Sequence, residues 1–258
     1  MGCVTYDFSG KTVLVTGASR GIGYAVAEGF VRAGARTFLL ASGDGVYSAA
    51  ENLKKVGDAT ALKCDITDSI SVADALTEIG HLDVLINNAG LERVTPLSDP
   101  DDAVEDTFRR IVDINVVGTF LVTRHAVSKM TSGGRIILTG SIWSHTAVAE
   151  FSAYCASKHA NLGFMRSVAH ELGPRGITVN AVCPGWVKTE AALLSLNKMS
   201  ESSGRSENDL LEEITGAQVI GGLLEPQDMA ALYLFLASND AKDITGQSYN
   251  LDRGEVMG

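Results

Sequence analysis

Residues 11–23 read KTVLVTGASRGIG, and the fold turns on how this stretch is parsed. KTVLVT (11–16) is short and apolar on both faces, the pattern of a strand in a sheet covered on both sides. TGASRGIG (16–23) follows at once, with a helix-like stretch behind it. Its glycines, Gly17, Gly21 and Gly23, are spaced G-x3-G-x-G, whereas the usual dinucleotide fingerprint is G-x-G-x-x-G. Either spacing can do the same physical work. Glycine permits a tight turn and a close backbone approach to a pyrophosphate, and the free N–H groups of a helix start face the anion. A plain strand-to-helix turn can carry the same glycines, so the surroundings decide.

Further apolar runs follow at RTFLLA (36–41), ATALKC (59–64), LDVLIN (82–87), GRIILTG (134–140), ITVNAVC (177–183) and, more weakly, QSYNL (247–251). Candidate helices lie between them near 22–33, 46–56, 69–79, 102–130, 153–173 and 226–237. Strand–helix alternation with fully apolar strands predicts an α/β fold: a single doubly wound Rossmann-type domain over 1–258, with a seven-stranded parallel sheet and helices on both faces. No internal repeat or linker interrupts it. KMSESSGRSEN (198–208) breaks the rhythm, with Met199 its single apolar residue, ahead of the amphipathic DLLEEI (209–214). It reads either as a solvated loop or as part of a substrate lid near 190–220. The second reading follows from its place after a strand's carboxyl end, where open α/β sheets bind ligands.

Composition narrows the function. Twenty-one basic against 31 acidic residues give a formal charge of −10, which argues against nucleic acid or an anionic membrane as partner. A small anion in a local pocket is compatible with it. The cysteines Cys3, Cys64, Cys155 and Cys183 are scattered, without metal-ligand spacing, and read as reduced thiols of a cytoplasmic protein; no metal site is expected. MGCVTYDF (1–8) has no signal-peptide core, Tyr6 stands where myristoylation wants Ser or Thr, and no apolar run reaches membrane-spanning length.

SAYCASKH (152–159) places Tyr154 and Lys158 four residues apart, on one face of a helix. A bare phenol has a pKa of about 10, too high for a base at neutral pH. Two unit charges about 4 Å apart at an effective dielectric near 20 interact by about 4 kcal/mol. That is roughly three pKa units, enough to bring the phenol close to 7. The spacing therefore suffices for general acid/base work, although a lone Tyr-x3-Lys is ordinarily helix surface.

Other pieces occur in a definite order: CDI (64–66), NNAG (87–90), Asn115 in DINVVGTF, Ser141 in GSIWS, then Tyr154 and Lys158, then PGWVKT (184–189). In that order the chain resembles the short-chain dehydrogenase/reductase family, from about residue 9 to 252. The resemblance implies that Tyr154 is the catalytic acid/base and that Ser141 orients the substrate oxygen. Lys158 would hold the nicotinamide ribose and lower the tyrosine pKa, and Asn115 would support a proton-relaying water. It further implies Gly17, Ser19, Arg20 and Ile22 in the phosphate loop, and Asp65 and Ile66 at the adenine. Asn88, Ala89 and Gly90 would lie along the ribose, with Val187 and Thr189 at the carboxamide beside Pro184 and Gly185.

The cofactor expected is NAD(P). An acid at the end of strand two would select NAD, but the strand ends Ala41-Ser42-Gly43-Asp44, so Ser42 stands near the ribose and no acid follows at once. With Arg20 available for a 2′-phosphate, the balance leans slightly to NADP, and Asp44 pulls the other way.

For the substrate, NNAGLE (87–92) is similar to sugar-oxidising glucose dehydrogenases, in which that glutamate meets the sugar. PGWV and the polar lid look more like 3-hydroxybutyrate dehydrogenases, but Phe151 replaces the lysine that holds the carboxylate there. Glu92, Trp143, His145, Glu150 and Trp186 are the candidate substrate-binding residues. The remaining histidines have no ligand spacing. Carrier-protein 3-oxoacyl reductases share the scaffold, with Lys129 and Arg175 as candidate docking residues. Asp252-Arg253-Gly254 departs from the family's Asp-Gly-Gly. The reading is an NAD(P)-dependent oxidoreductase of secondary alcohols or ketones, with a sugar, sugar acid or polyol favoured, and a homotetramer. The alternatives are a 3-oxoacyl reductase or hydroxy-acid dehydrogenase and, from another class, a non-catalytic dinucleotide sensor.

Overall fold

The computed structural model of the chain describes residues 4–257. Met1, Gly2, Cys3 and Gly258, on which part of the terminal reading falls, lie outside the described residues. The apolar runs form β1 (Thr12–Thr16), β2 (Arg36–Ala41), β3 (Ala59–Lys63), β4 (Val84–Asn87), β5 (Arg135–Thr139), β6 (Thr178–Pro184) and β7 (Ser248–Leu251). Between them run α1 (Gly21–Arg32), α2 (Gly45–Leu53), α3 (Ser69–Thr77), α4 (Ala103–Val112), α5 (Thr119–Val127), α6 (Ser152–Leu172), α7 (Glu190–Ser203), α8 (Glu207–Gly216) and α9 (Ala230–Ala237). The strands make one seven-stranded sheet in the order β3-β2-β1-β4-β5-β6-β7, with every neighbouring pair parallel. The strand order reverses between β1 and β4, so a crevice opens at their carboxyl ends.

The apolar strands follow from burial on both faces. Val13 and Val15 enter one core with Val26, Phe30 and Tyr233 of α1 and α9. Leu14 points the other way, into a second core with Leu76, Val122 and Leu162 of α3, α5 and α6. A third, small cluster joins Ile142, Trp143, Phe151 and Cys155, with Trp186, Met199 and Val256 packed against it. Cys64, Cys155 and Cys183 are buried free thiols. Among the described residues no helix is long and apolar enough to cross a membrane, and no cluster of metal-ligating side chains occurs.

Two segments differ from expectation. The helix predicted over 102–130 is broken by a π-helical turn, Asp113–Gly118, between α4 and α5. Gly118 ends that turn against Ile66, where a Cβ would lie 2.7 Å from the isoleucine side chain. The wider turn presents Asn115 to Leu91 and Ser157. The 198–208 stretch, read as a solvated loop or as part of a lid, is largely helical. Thr189 caps α7 by accepting from the Ala192 N–H at 3.1 Å, and the helix runs to Gly204, whose φ of 67° closes it. Ser206 then caps α8. The polar residues make an exposed face, while Leu196 and Leu210 supply the buried contacts. Polarity reported exposure there, not backbone conformation.

Arg253, where the family has glycine, adopts φ 59°. Its guanidinium donates to the carbonyls of Gly221 at 3.1 Å and Leu223 at 3.2 Å, tying the loop after α8 to the C-terminal turn.

Candidate active site

A cleft of about 700 Å³ opens over the carboxyl ends of β1, β4, β5 and β6. Its floor is the glycine loop. At Gly17, φ is 65° and an added Cβ would lie 2.7 Å from the Cα of Ala89; at Gly23 it would lie 2.4 Å from the Gly17 carbonyl oxygen. Only glycine lets the loop fold this tightly onto β4. The Asn88 amide donates to the carbonyls of Thr16 (3.1 Å) and Gly17 (3.3 Å), while the Thr16 hydroxyl accepts from the N–H groups of Asn88 and Ala89. NNAG is thus the clasp that holds the phosphate loop in place.

The structure brings most of the expected cofactor residues to this cleft. Gly17, Ser19, Arg20, Gly21, Ile22, Ser42, Asp65, Ile66, Asn88, Ala89, Gly90, Pro184, Gly185, Val187 and Thr189 all line it. The cradle shape, the open N-terminus of α1 and the length of the cleft fit a dinucleotide. Gly23 is a correction: it is buried beneath the loop and does not reach the cleft, so it serves helix–strand packing. Arg20 pairs with Glu190 at 2.8 Å, across the cleft mouth. Asp44, the acid that argued for NAD, pairs with Lys63 at 2.7 Å. Sequence reasoning missed Glu190, although it directly follows the Thr189 of the PGWVKT motif.

At the inner end stand Ser141, Tyr154 and Lys158. Ser141 follows β5; its hydroxyl accepts from the Trp143 N–H at 3.1 Å and lies near enough to the Tyr154 phenol to lower its pKa. Tyr154 lies in the first turn of α6, and Lys158 one turn on, with its Nζ 5.5 Å from the tyrosine ring centroid. Lys158 is buried and donates to the Thr139 carbonyl at 2.7 Å. Asn115 does not line the cleft: its side-chain oxygen accepts from the Leu91 N–H (2.7 Å), and its amide donates to the Leu91 carbonyl (3.0 Å) and the Ser157 hydroxyl (2.9 Å). It anchors the strand-four loop behind the site.

The protein's own groups act on the phenol in the opposite sense to the attraction expected from spacing. Burial pushes the Tyr154 phenol well above its ordinary value, and the neighbouring Glu92 carboxylate raises it further; Ser141 opposes both. Burial also lowers Lys158 to about 8. Lys158 spends its bond on a carbonyl, not on the phenol, so among the protein's own groups desolvation outweighs the attraction that spacing alone suggested.

Of the substrate candidates, Glu92, Trp143 and Trp186 line the cleft. The Trp143 ring meets Tyr154 edge-on at 5.9 Å and Trp186 at 6.1 Å. Burial raises the Glu92 carboxyl, countered by a hydrogen bond from Ser195 of α7. Ser195 carried no sequence signal. His145 and Glu150 are corrections. Both are exposed and neither lines the cleft. His145 follows the turn 142–144, with burial and the charges of Arg166 and His159 lowering its pKa. Glu150 adopts φ 66°, and its carboxylate accepts from Ser202 of α7 at 3.3 Å. Lys129 donates to the Ile79 carbonyl and Arg175 to those of Val127 and Met130, so both also brace local backbone.

A family model described as enoyl-(acyl carrier protein) reductase matches residues 17–255. The chain is 36% identical over 256 residues to a diacetyl reductase, (S)-acetoin forming, of Staphylococcus epidermidis, covering 95% of this chain and 98% of the relative. It is 33% identical over 261 residues to a 3-oxoacyl-(acyl-carrier-protein) reductase of Rickettsia prowazekii, covering 97% and 99%. The L-sorbose reductase of Gluconobacter frateurii, solved with NADPH and L-sorbose, matches with a TM-score of 0.88 at 26% identity over 98% of each chain.

Proposed function

The chain belongs to the short-chain dehydrogenase/reductase family and is an NAD(P)-dependent oxidoreductase of alcohol and ketone groups, and from that premise we propose that it uses NADP(H) on a small hydroxylated substrate, a sugar, sugar acid or polyol. One observation carries the reading: the Ser141–Tyr154 pair stands in an aromatic wall with the Glu92 carboxyl beside it. The bound dinucleotide supplies or accepts the hydride. Tyr154 moves the proton on the substrate oxygen, and Ser141 holds that oxygen in place. Lys158 supports the cofactor end of the site. Glu92 accepts hydrogen bonds from a substrate hydroxyl, and Trp143 and Trp186 offer apolar ring faces to the carbon skeleton. Glu92–Ser195 and Arg20–Glu190 join the cleft walls to α7, which supports α7 and α8 as the lid of a single domain.

The lean to NADP rests on Ser42 where an acid would select NAD and on Arg20, whose exposed pair with Glu190 can be exchanged for a phosphate; Asp44, in a like pair with Lys63, is the opposing acid. Phe151, where a hydroxy-acid enzyme would present a cation, is buried at 1% exposure against Trp143.

The test is a panel of sugars, polyols, hydroxy acids and 3-oxoacyl thioesters with each cofactor, followed at the nicotinamide absorbance. Tyr154→Phe is expected to lose more than nine-tenths of turnover while dinucleotide affinity holds. Turnover of acyl thioesters alone, or NAD binding more than tenfold tighter than NADP, overturns the substrate or the cofactor assignment respectively.

A further inference from the structure

A second cavity, of about 580 Å³, lies beside the active cleft. Three segments distant in sequence line it: Leu91, Arg93 and Val94 after β4; Asp106, Thr107 and Arg110 of α4; Leu194, Ser195 and Lys198 of α7. Leu91 and Arg110 border both cavities. Ser195 lines this cavity and Glu92 the other.

The charge of this cavity runs against that of the molecule. The chain carries −10 overall, and the residues ahead of α4 include Asp99, Asp101 and Asp102. The cavity nevertheless presents three cations, Arg93, Arg110 and Lys198, against the single carboxylate of Asp106. Their existing bonds are ones a ligand can replace. Arg110 reaches Thr67 and Asp65 only at 3.3 Å, and that ion pair is half-exposed. Lys198 pairs with Glu201 at side-chain exposures of 51% and 57%. Arg93 gives one nitrogen to the Glu92 carbonyl at 2.7 Å. Exposed pairs of this kind hold about 0–1 kcal/mol. Two guanidinium forks suit the oxygens of a carboxylate or phosphate, and Leu91, Val94 and Leu194 supply an apolar floor.

We propose that this cavity is an organic-anion subsite, receiving the carboxylate or phosphate end of an extended substrate whose alcohol or ketone lies at Tyr154. The inference rests on the oxidoreductase reading of the neighbouring cleft. It narrows the substrate class to acids or phosphate esters. Glu92 then meets a hydroxyl near the reacting carbon, while the distal negative charge is held by Arg93, Arg110 and Lys198.

The test separates binding from catalysis. Hexanoate and inorganic phosphate are titrated calorimetrically into the cofactor-free protein, wild type and Arg93→Gln/Lys198→Gln. Saturable binding of either probe, weakened at least tenfold in the double variant, supports the subsite. Hexanoate alone binding points to a carboxylic acid, phosphate alone to a phosphorylated substrate. Absence of saturable binding, or equal binding by both proteins, overturns it. In turnover, the double variant is expected to raise KM for an acidic substrate at least tenfold, with kcat and the KM of its neutral analogue unchanged. Equal effects on acid and neutral analogue also overturn it. Because probe binding needs no turnover, it is read even where the cleft's assigned reaction fails.

Discussion

Tyr154 and Lys158 are one helical turn apart, yet what decides their chemistry is the residue that faces them from another part of the chain. Glu92 is the largest charge raising the phenol after burial itself. Glu92→Gln removes that charge, so the tyrosine is expected to ionise more easily. The pH profile of kcat/KM for alcohol oxidation should move to lower pH, and an unmoved or upward-shifted profile contradicts the electrostatic reading. If Glu92 also accepts a substrate hydroxyl, the same variant should lose roughly 1–3 kcal/mol of transition-state stabilisation on a polyol. Lys158 makes a stability prediction. Its folded pKa of about 8 lies below the ordinary 10.5, so burying the charge is a cost, fully present below pH 8 where both states are protonated. Above pH 8 the native state sheds the proton while the unfolded chain keeps it, and the cost disappears as pH rises to 10.5. The stability difference between wild type and Lys158→Met should therefore change by about 3 kcal/mol between pH 7 and pH 10.5, in favour of wild type. Urea unfolding of the cofactor-free proteins measures it, and a pH-independent difference refutes it.

Glycine acts through the elements that it lets approach. At Gly17, positive φ and backbone contact coincide, since an added Cβ meets the Ala89 Cα at 2.7 Å. Gly17→Ala must push the loop off β4, so dinucleotide affinity is expected to fall at least tenfold, about 1.4 kcal/mol, together with the unfolding midpoint. Gly133 is the control. Its φ is 89° and an added Cβ would meet nothing within 4 Å, so Gly133→Ala should cost about 1–2 kcal/mol of stability and leave affinity intact. Equal nucleotide affinity in wild type and Gly17→Ala would remove the loop from the cofactor site. The seven strands and most helices were legible because their periodicity lies within single segments. The break between α4 and α5 was not, because the π-turn answers to Leu91, Ser157 and Ile66, which local spacing does not reveal.

Across the whole molecule, several large apolar side chains stand exposed among the described residues, three of them on the segment from α4 to α5. Phe108 of α4, Val117 of the π-turn and Phe120 of α5 are 39%, 41% and 45% exposed, and Phe120 meets Phe164 of α6 edge-on at 6.4 Å. An apolar face of this kind favours association. We expect a homotetramer built on it, with the 81%-exposed Met257 at a further contact, whereas Val256 packs onto its own chain's aromatic cluster. Light scattering at micromolar concentration should give the mass of four chains, and Phe120→Glu a smaller species. A monomeric wild type contradicts this assembly.

By itself the sequence determined the doubly wound sheet and the reaction class. Apolar alternation, the loop at 16–23 and the order Ser141, Tyr154, Lys158 each depend on residues close in the chain or on motifs in a set succession. Only the tertiary structure decided which side chains meet. It left His145 and Glu150 exposed, set Glu190 on Arg20 and Ser202 on Glu150, and buried the tyrosine beside Glu92. The physical reason is that burial and long-range pairing set the energies of charges, and both arise only when segments separated in sequence pack together.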